Sequence, residues 1–417
     1  MSLIETAFCK IDKLNSNGIG EASTEKGKVL LPYVMEGEEV EFERHIYRGK
    51  ESFRLKTISK LSHNRIPPKC THYEACGGCL LQHLSPEAYT SYKKNILEET
   101  LEIEVSITSL QNNKRRRINL VFKKTDKKLL LGFYRYKSDN IVNIESCIAS
   151  ENAISELIPV LKDFIDSITL QNDHGEIFIL KADNGLCLTI KLESKEIFDE
   201  KNRRKFQALV NKYKIISLSY LHNKKEIYKI SAETPFVRYG SKNVEVDSES
   251  FLQATKDSDE VFSKTIREYI GHDTNKKIAD LFCGRGTFTI PISEAGYTVT
   301  GYENDAKALG SVIALNIPNS KFEFRDLYHN PLMEELLDYD IIILNPPRTG
   351  AEEQVKNITN MNCLEKIIYV SCSLASFKRD YNILKSHYEI KNIVAIDQFI
   401  WNPHIEIIAE FIKIRSQ

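Results

Sequence analysis

Hydrophobic and polar positions repeat with two different periods along this chain. Over residues 1–66 the runs are short and partly alternating: ETAFCKIDKL, KVLLPYVM, VEFERHIY and FRLKTISKL, broken by turns at NSNGIG, MEGEE and RGKES. Alternation between Gly and Asn turns predicts about five short strands, and these predict a small barrel or a comparable β-domain. Pro67-Pro68 marks a boundary. Beyond it SPEAYTSYKKNILEETL reads as a helix, with Ser85 able to cap and Pro86 at the first helical position. KRRRINLVFKK runs into LLLGFYRYKS as a strand pair, and EIFILKADNGLCLTIKLE folds back at Asn184-Gly185, a strong hairpin signal. YKIISLSYLHNKKEIYKIS predicts a further hairpin, so the middle region, 67–244, is expected to be α+β and mostly antiparallel. From about 245 apolar runs that read as strands alternate with amphipathic helices: KDSDEVFSKTIREYI, KKIADLF, YTVTGYE, DAKALGSVIALN, DYDIIILNPP, EEQVKNITNM and KIIYVSC. That rhythm implies βαβ units and a doubly wound parallel sheet over 245–417.

Composition narrows the class. With 417 residues, 42% hydrophobic and 28% charged, the chain is an ordinary globular sequence of two or three domains. A net charge of −1 excludes a wholesale basic protein, so nucleic-acid contacts must come from local patches. Two such patches are visible. One is KRRRINLVFKK with GFYRYKS; the other is Arg48, Lys50, Arg54, Lys56, Lys60, Arg65 and Lys69 near Tyr47 and Phe53, which reads equally well as a solvated basic face. No run reaches about 18 apolar residues and no apolar leader follows the start, so neither a membrane span nor a secretory signal is expected. Nine cysteines are too few for a disulfide scaffold and point to a reducing, cytoplasmic setting.

Asp280-Leu-Phe-Cys-Gly-Arg-Gly-Thr-Phe places Gly284 and Gly286 directly after a strand, where backbone must turn tightly beside a ligand. Thr289 stands where a dinucleotide fold wants a third glycine, so a ligand without a pyrophosphate fits better. Glu303 ends the next strand, about 20 residues on, where a carboxylate can accept ribose hydroxyls. Asp326 follows the third strand and is placed to receive an adenine amino group. Together these favour S-adenosylmethionine. On the same rim, Cys372 ends a later strand, Asn345-Pro-Pro-Arg348 ends the one before, and His404 and Glu406 open the last.

DLFCGRGTFTIP, NPPRTGA, YVSCSLASFKRD and NPHIE, in that order and preceded by SESFLQAT, resemble the RNA uracil-5-methyltransferase family over most of the last 170 residues. The resemblance implies a Rossmann-like methyltransferase in which Cys372 adds to C6 of uracil, activating C5 for methylation, and Glu406 removes the C5 proton. It implies that Gln253, Phe282, Thr287, Glu303, Asp326 and Asn345 contact S-adenosylmethionine. One departure stands out: the family usually carries Asp at 345, whereas Asn keeps an acceptor, adds a donor and loses the charge.

Cys70, Cys76 and Cys79, in the pattern CxxxxxCGGCxxQH, with Cys147 far downstream, suit a structural zinc or an iron–sulfur cluster. A triplet with one distant cysteine is the more cluster-like, and the resemblance implies a 4Fe-4S cluster on these four. It also implies that 1–66 is a TRAM barrel gripping RNA. The expectation is therefore a monomeric enzyme methylating a loop or bulge uridine, of 23S rRNA rather than tRNA, with no membrane partner. Three other readings stay open: a tRNA uracil-5-methyltransferase, an amino-group methyltransferase acting through Asn345-Pro-Pro, and a non-catalytic RNA-binding assembly factor.

Overall fold

A computed structural model describes residues 3–47, 50–126, 128–193 and 198–414; Arg48 of the basic patch lies outside them. The chain divides into two compact units. The first comprises residues 1–104, 133–142 and 399–404, and the second the remainder. These units do not follow the boundaries at 66 and 244.

The first unit opens with six strands: β1 (Leu3–Lys10), β2 (Lys13–Leu14), β3 (Gly20–Thr24), β4 (Gly27–Leu31), β5 (Glu39–Tyr47) and β6 (Lys50–Lys60). They form two three-stranded antiparallel sheets, β1-β5-β6 and β2-β3-β4. The strand missed in the apolar pattern is β3, GEAST, because its residues are small and polar. Asn15 makes the preceding turn, its side-chain oxygen accepting from the amides of Asn17 and Ile19, while Gly18 takes φ +71°. Ile11, Val29, Leu31, Val34, Val40 and Phe42 fill the core between strands.

A second cluster explains why the unit runs past residue 66. Ile19, Tyr33 and Met35 pack with Leu80, Leu81, Leu84 and Tyr92. Glu38, fully buried, receives Arg65 through Nε at 2.6 Å and Nη2 at 2.8 Å. Helix α1 (Pro86–Leu101) begins as expected, Ser85 accepting from the Ala88 amide and Pro86 in the first turn. The cysteine loop is held from both sides. The Gly77 amide donates to the Tyr134 carbonyl, and the amides of Leu80 and Leu81 both donate to the Trp401 carbonyl. A Cβ at Gly77 would lie 2.8 Å from the Tyr136 nitrogen, so this approach requires glycine.

Two large sheets follow, both lying in the second unit except for the end of β9 and most of β10. One has the order β10-β9-β8-β11-β12-β13-β14, where β8 is Arg117–Lys124, β9 Leu129–Tyr134, β10 Ile141–Asn143, β11 His174–Lys181, β12 Leu186–Glu193, β13 Ile215–His222 and β14 Lys225–Ser231. The hairpins expected at Asn184-Gly185 and at Asn223 are present as β11–β12 and β13–β14. β12 and β13 are parallel, because the chain crosses between them through α3 (Glu200–Tyr213), which packs beside α2 (Asn152–Ile168) with Phe164 and Phe206 edge to face at 4.8 Å. A small hairpin, β15 (Phe236–Tyr239) and β16 (Lys242–Glu245), follows.

The other sheet carries the βαβ rhythm. Its strands are β7 (Ser106–Ser109), β17 (Lys277–Leu281), β18 (Thr298–Glu303), β19 (Ser320–Phe324), β20 (Ile341–Leu344), β21 (Lys366–Ser371), β22 (Tyr388–Asp397) and β23 (Glu406–Lys413). Their order is β19-β18-β17-β20-β21-β23-β22-β7. The five strands from β19 to β21 are parallel, while β23 runs antiparallel to both its neighbours. Order reverses between β18-β17 and β20-β21, which makes the carboxyl ends of β17 and β20 the natural ligand crevice. Helices α4 (Lys256–Ile270), α5 (Thr289–Glu294), α6 (Ala306–Ile313), α7 (Glu352–Met361) and α8 (Leu374–Leu384) cover the sheet. Ile278, Val299, Ile341, Ile343, Ile368, Val370 and Ile408 form its core with Phe262, Ile266 and Phe288. Among the described residues no helix is long and apolar enough to cross a membrane.

Candidate active site

The antiparallel last strand brings the two expected catalytic residues together. Ser371 pairs with Ile407, so Cys372, one residue past β21, comes beside Glu406, the first residue of β23. A parallel β23 would have put Glu406 at the opposite end of the strands, away from Cys372. Glu406 is 5% exposed. Burial pushes its carboxyl up to about 7, against a hydrogen bond from Gln398 and the charge of Arg348. Cys372 is half-buried, and its thiol is raised by burial and then by the Glu406 charge, while Arg348 acts in the opposite sense. The Glu406 carboxylate thus opposes ionisation of the neighbouring thiol.

The remaining expected residues line the same rim. Phe282 directly follows β17 in the left-handed region, φ +62°, with its ring 5.5 Å from Tyr328. A bulky residue held there is strained, a feature that collects at functional sites. Gly284 has φ +55°, and a Cβ built on it would meet nothing within 4 Å, so the space beside this turn is open. Glu303 at the end of β18 accepts the Gly284 amide at 2.9 Å and, through its other oxygen, the amides of Asn304 and Asp305. Thr287 is half-buried in the turn before α5, and Asn345 is half-buried at the end of β20 with its amide on the Leu281 carbonyl. Asp326 follows β19, and its carboxylate accepts from the Tyr328 and His329 amides and from His329 Nδ1 at 2.9 Å. An open glycine turn beside a carboxylate and an aromatic face fits S-adenosylmethionine, which Phe282, Gly284 and Glu303 would hold. It would supply an electrophilic methyl group there.

Gln253 precedes α4 and is 9% exposed. Its side-chain oxygen accepts from Gln398 Nε2 at 3.0 Å, and the same nitrogen donates to Glu406 at 2.8 Å. Gln398 escaped the sequence reading; the only signal was an amide closing the apolar strand IVAID.

The basic segment 114–124 corrects a second expectation. Arg116 is 3% exposed and donates to Asp259 at 2.7 Å and to the Gln253 carbonyl at 3.0 Å. Arg117 donates to the Ser250 carbonyl and lies 5.4 Å from the Phe251 ring. These two cations therefore brace the 250–254 strap instead of facing phosphates. Apolar alternation in RINLVF required Arg117 to begin a strand, and Arg116 was drawn inward with it.

The four expected metal ligands lie half-buried, Cys70, Cys76 and Cys79 in the first unit and Cys147 in the second. Thiols alone are a soft donor set of the right kind. Among the described residues, however, no three His, Cys, Asp or Glu side chains are gathered so that they could hold a metal ion.

A family model described as tRNA (uracil-5-)-methyltransferase matches residues 316–413, the stretch holding Asn345, Cys372 and Glu406. An RNA methyltransferase of Brucella suis is 32% identical over the whole of both chains. The chain belongs to the RNA uracil-5-methyltransferase family. Another relative, a 23S rRNA (uracil(1939)-C(5))-methyltransferase of Shewanella sediminis, is 27% identical over 96% of this chain and 95% of its own length. The tRNA (uracil-54, C5)-methyltransferase of Pyrococcus abyssi, solved with S-adenosyl-L-homocysteine, shares the fold at a TM-score of 0.75 and 21% identity, covering 97% of this chain and 100% of that one. As a uracil-5-methyltransferase the protein is an S-adenosylmethionine-dependent enzyme acting on RNA. Membership sets aside both the amino-group and the non-catalytic readings.

Proposed function

We propose that this uracil-5-methyltransferase modifies a uridine of 23S rRNA through a covalent Cys372–C6 adduct, with Glu406 as the base. The observation that carries the mechanism is the pairing of a half-buried thiol with a buried carboxyl that titrates near neutrality on one rim. In this reading the Cys372 thiolate bonds to C6, and the C5–C6 π electrons move toward C5 and the C4 carbonyl oxygen. C5 then bonds to the methyl carbon as that carbon's bond to the donor's sulfonium sulfur breaks, and the sulfur leaves as a neutral thioether. Glu406 takes the C5 proton, the C5–C6 double bond re-forms, and the C6–S bond breaks to release Cys372. Covalent addition divides one difficult substitution into easier steps. Arg348 favours the thiolate, which burial and Glu406 disfavour.

Gln253, Phe282, Thr287, Glu303 and Asn345 are assigned to the methyl donor. Asp326 joins them only if the donor competes with His329 for its carboxylate. The amino-terminal region, read as a TRAM-like barrel over 1–66, is assigned to gripping RNA; supporting this, exposed Phe8 shares a groove with Lys26, Lys28 and Arg44. Region 67–244 is the central, cysteine-bearing module and 245–417 the methyltransferase module. A 4Fe-4S cluster on Cys70, Cys76, Cys79 and Cys147 is supported by their spacing and by Gln82, whose buried Nε2 has no hydrogen-bond partner while its oxygen accepts from the Cys70 amide. Anaerobically purified protein should be brown and contain iron; colourless protein with stoichiometric zinc would overturn that assignment.

The substrate is supported by the relative named for 23S rRNA. Mass-spectrometric mapping of 5-methyluridine in cells lacking the protein tests it. A missing methyl group in 23S rRNA is the expected result, and one missing from tRNA alone would replace the proposed substrate.

A further inference from the structure

We propose that Gln398 is a positioning residue that ties the donor-site residue Gln253 to the base Glu406 through a single side-chain amide. The inference rests on the catalytic reading above and extends it to a residue that no motif marks.

The geometry leaves the amide one orientation. Gln398 is 1% exposed at the end of β22. Its oxygen accepts from the Ala254 backbone amide at 3.1 Å, a donor that cannot exchange roles. That places the NH2 group toward the other two partners, and both accept: Gln253 Oε1 at 3.0 Å and Glu406 Oε1 at 2.8 Å. Both amide hydrogens are thus used, each on a different functional residue. Gln253 is fixed from behind by Arg116, which donates to its carbonyl and is itself paired with Asp259. The result is a buried chain from Arg116 through Gln253 and Gln398 to Glu406. Each link in this chain is a hydrogen bond between buried groups, and together the links fix the geometry of Glu406.

Two consequences follow for the chemistry. The donated hydrogen bond aims one Glu406 oxygen and leaves the other for the C5 proton. It also favours the ionised carboxylate that a base must be, against burial. The other charge acting on Glu406 comes from Arg348 beyond β20; the neighbouring Cys372 thiol beyond β21 is itself raised, and α4, also packed on β23, carries Asp259 already paired with Arg116. Gln398 is therefore the neutral donor that opposes desolvation of the base.

Gln398→Met keeps length and burial but removes both donors. The direct test follows the Glu406 side-chain carboxyl by 13C NMR, assigned by difference against Glu406→Gln, in the full protein without RNA. Its titration should move up by about one pH unit. Gln398→Glu, which keeps the acceptor for Ala254 and adds a charge, should move it further in the same direction and serves if the Met variant does not fold. An unmoved or lowered titration in either folded variant overturns the proposal. A second readout uses transcribed 23S rRNA. Turnover by Gln398→Met should fall about fivefold at pH 7 and recover by pH 9, while adduct formation with the same RNA carrying 5-fluorouridine persists. A loss equal at every pH would reduce Gln398 to a packing role and also overturns the proposal. If the wild-type protein forms no adduct, the catalytic reading fails, and the NMR titration still decides the role of Gln398.

Discussion

Glu406 opposes ionisation of Cys372 while burial raises both groups, and that sets what single substitutions should do. A buried carboxyl that titrates near 7 is half ionised at neutral pH. Because the base acts in its ionised form, turnover should climb between pH 6 and pH 8, measured as methyl incorporation under saturating donor. Glu406→Gln should lower turnover by on the order of 10²–10⁴-fold, yet let the Cys372 adduct accumulate on RNA in a denaturing gel. Cys372→Ser should show neither turnover nor adduct. The same carboxyl also bears on stability. Its native pKa lies above the ordinary 4.5, so between those values the native state holds a proton that the unfolded chain has lost. Stability falls as pH rises through that window. Glu406→Gln should accordingly gain on the wild type at pH 8, by on the order of 1–3 kcal/mol in urea unfolding, and gain nothing at pH 4.

At the level of elements, the basic segment before β8 separates what a pattern announces from what packing requires. KRRR announced a phosphate-binding patch, and the position of β8 beside the 250–254 strap turned two of its arginines into braces. Arg116→Met should destabilise the second unit by about 3–5 kcal/mol, since it strands Asp259 in the interior. Asp259 is already raised to about 6, by burial more than Arg116 lowers it. Without Arg116 it rises further, so the loss measured by urea unfolding should shrink at pH 5, where a neutral Asp259 costs less. The salt dependence of RNA binding should not change, because Arg116 faces no phosphate. Elements with strong local signals emerged where expected: the Ser85-Pro86 helix start, the Asn184-Gly185 hairpin and the alternating strands and helices after 245. Those that did not, β3 and the lone strand β7, lack apolar periodicity of their own and form only because a partner edge is offered.

Across the whole molecule, packing joins stretches that composition separates. The amino-terminal strands share a core with the cysteine segment and α1, and Glu38 with Arg65 is the buried ion pair within that joint. Burial raises the Glu38 carboxyl, but Arg65 and the Met35 amide outweigh it and hold the group below its ordinary value. Its contribution is present above the unfolded pKa and fades as pH falls through the native one. Glu38→Ala should cost about 3–5 kcal/mol at pH 7. Hydrogen exchange should show β5 and α1 losing protection together; loss confined to the strands would mean that they fold apart from the helix.

The amino-acid order alone determined the chemistry available here: a thiol, a carboxyl and a glycine turn at strand ends, read from spacings that local backbone physics imposes. It also determined most of the βαβ rhythm, since burying one face of each element needs only the right period. What it left undecided was which distant residues would meet. The antiparallel return of β23 put Glu406 next to Cys372, and burial then gave that carboxyl a proton affinity suited to a base. The same closure drew Arg116 and Gln398 into one hydrogen-bonded chain. Desolvation and long-range pairing depend on everything around a residue, and no local pattern carries that information.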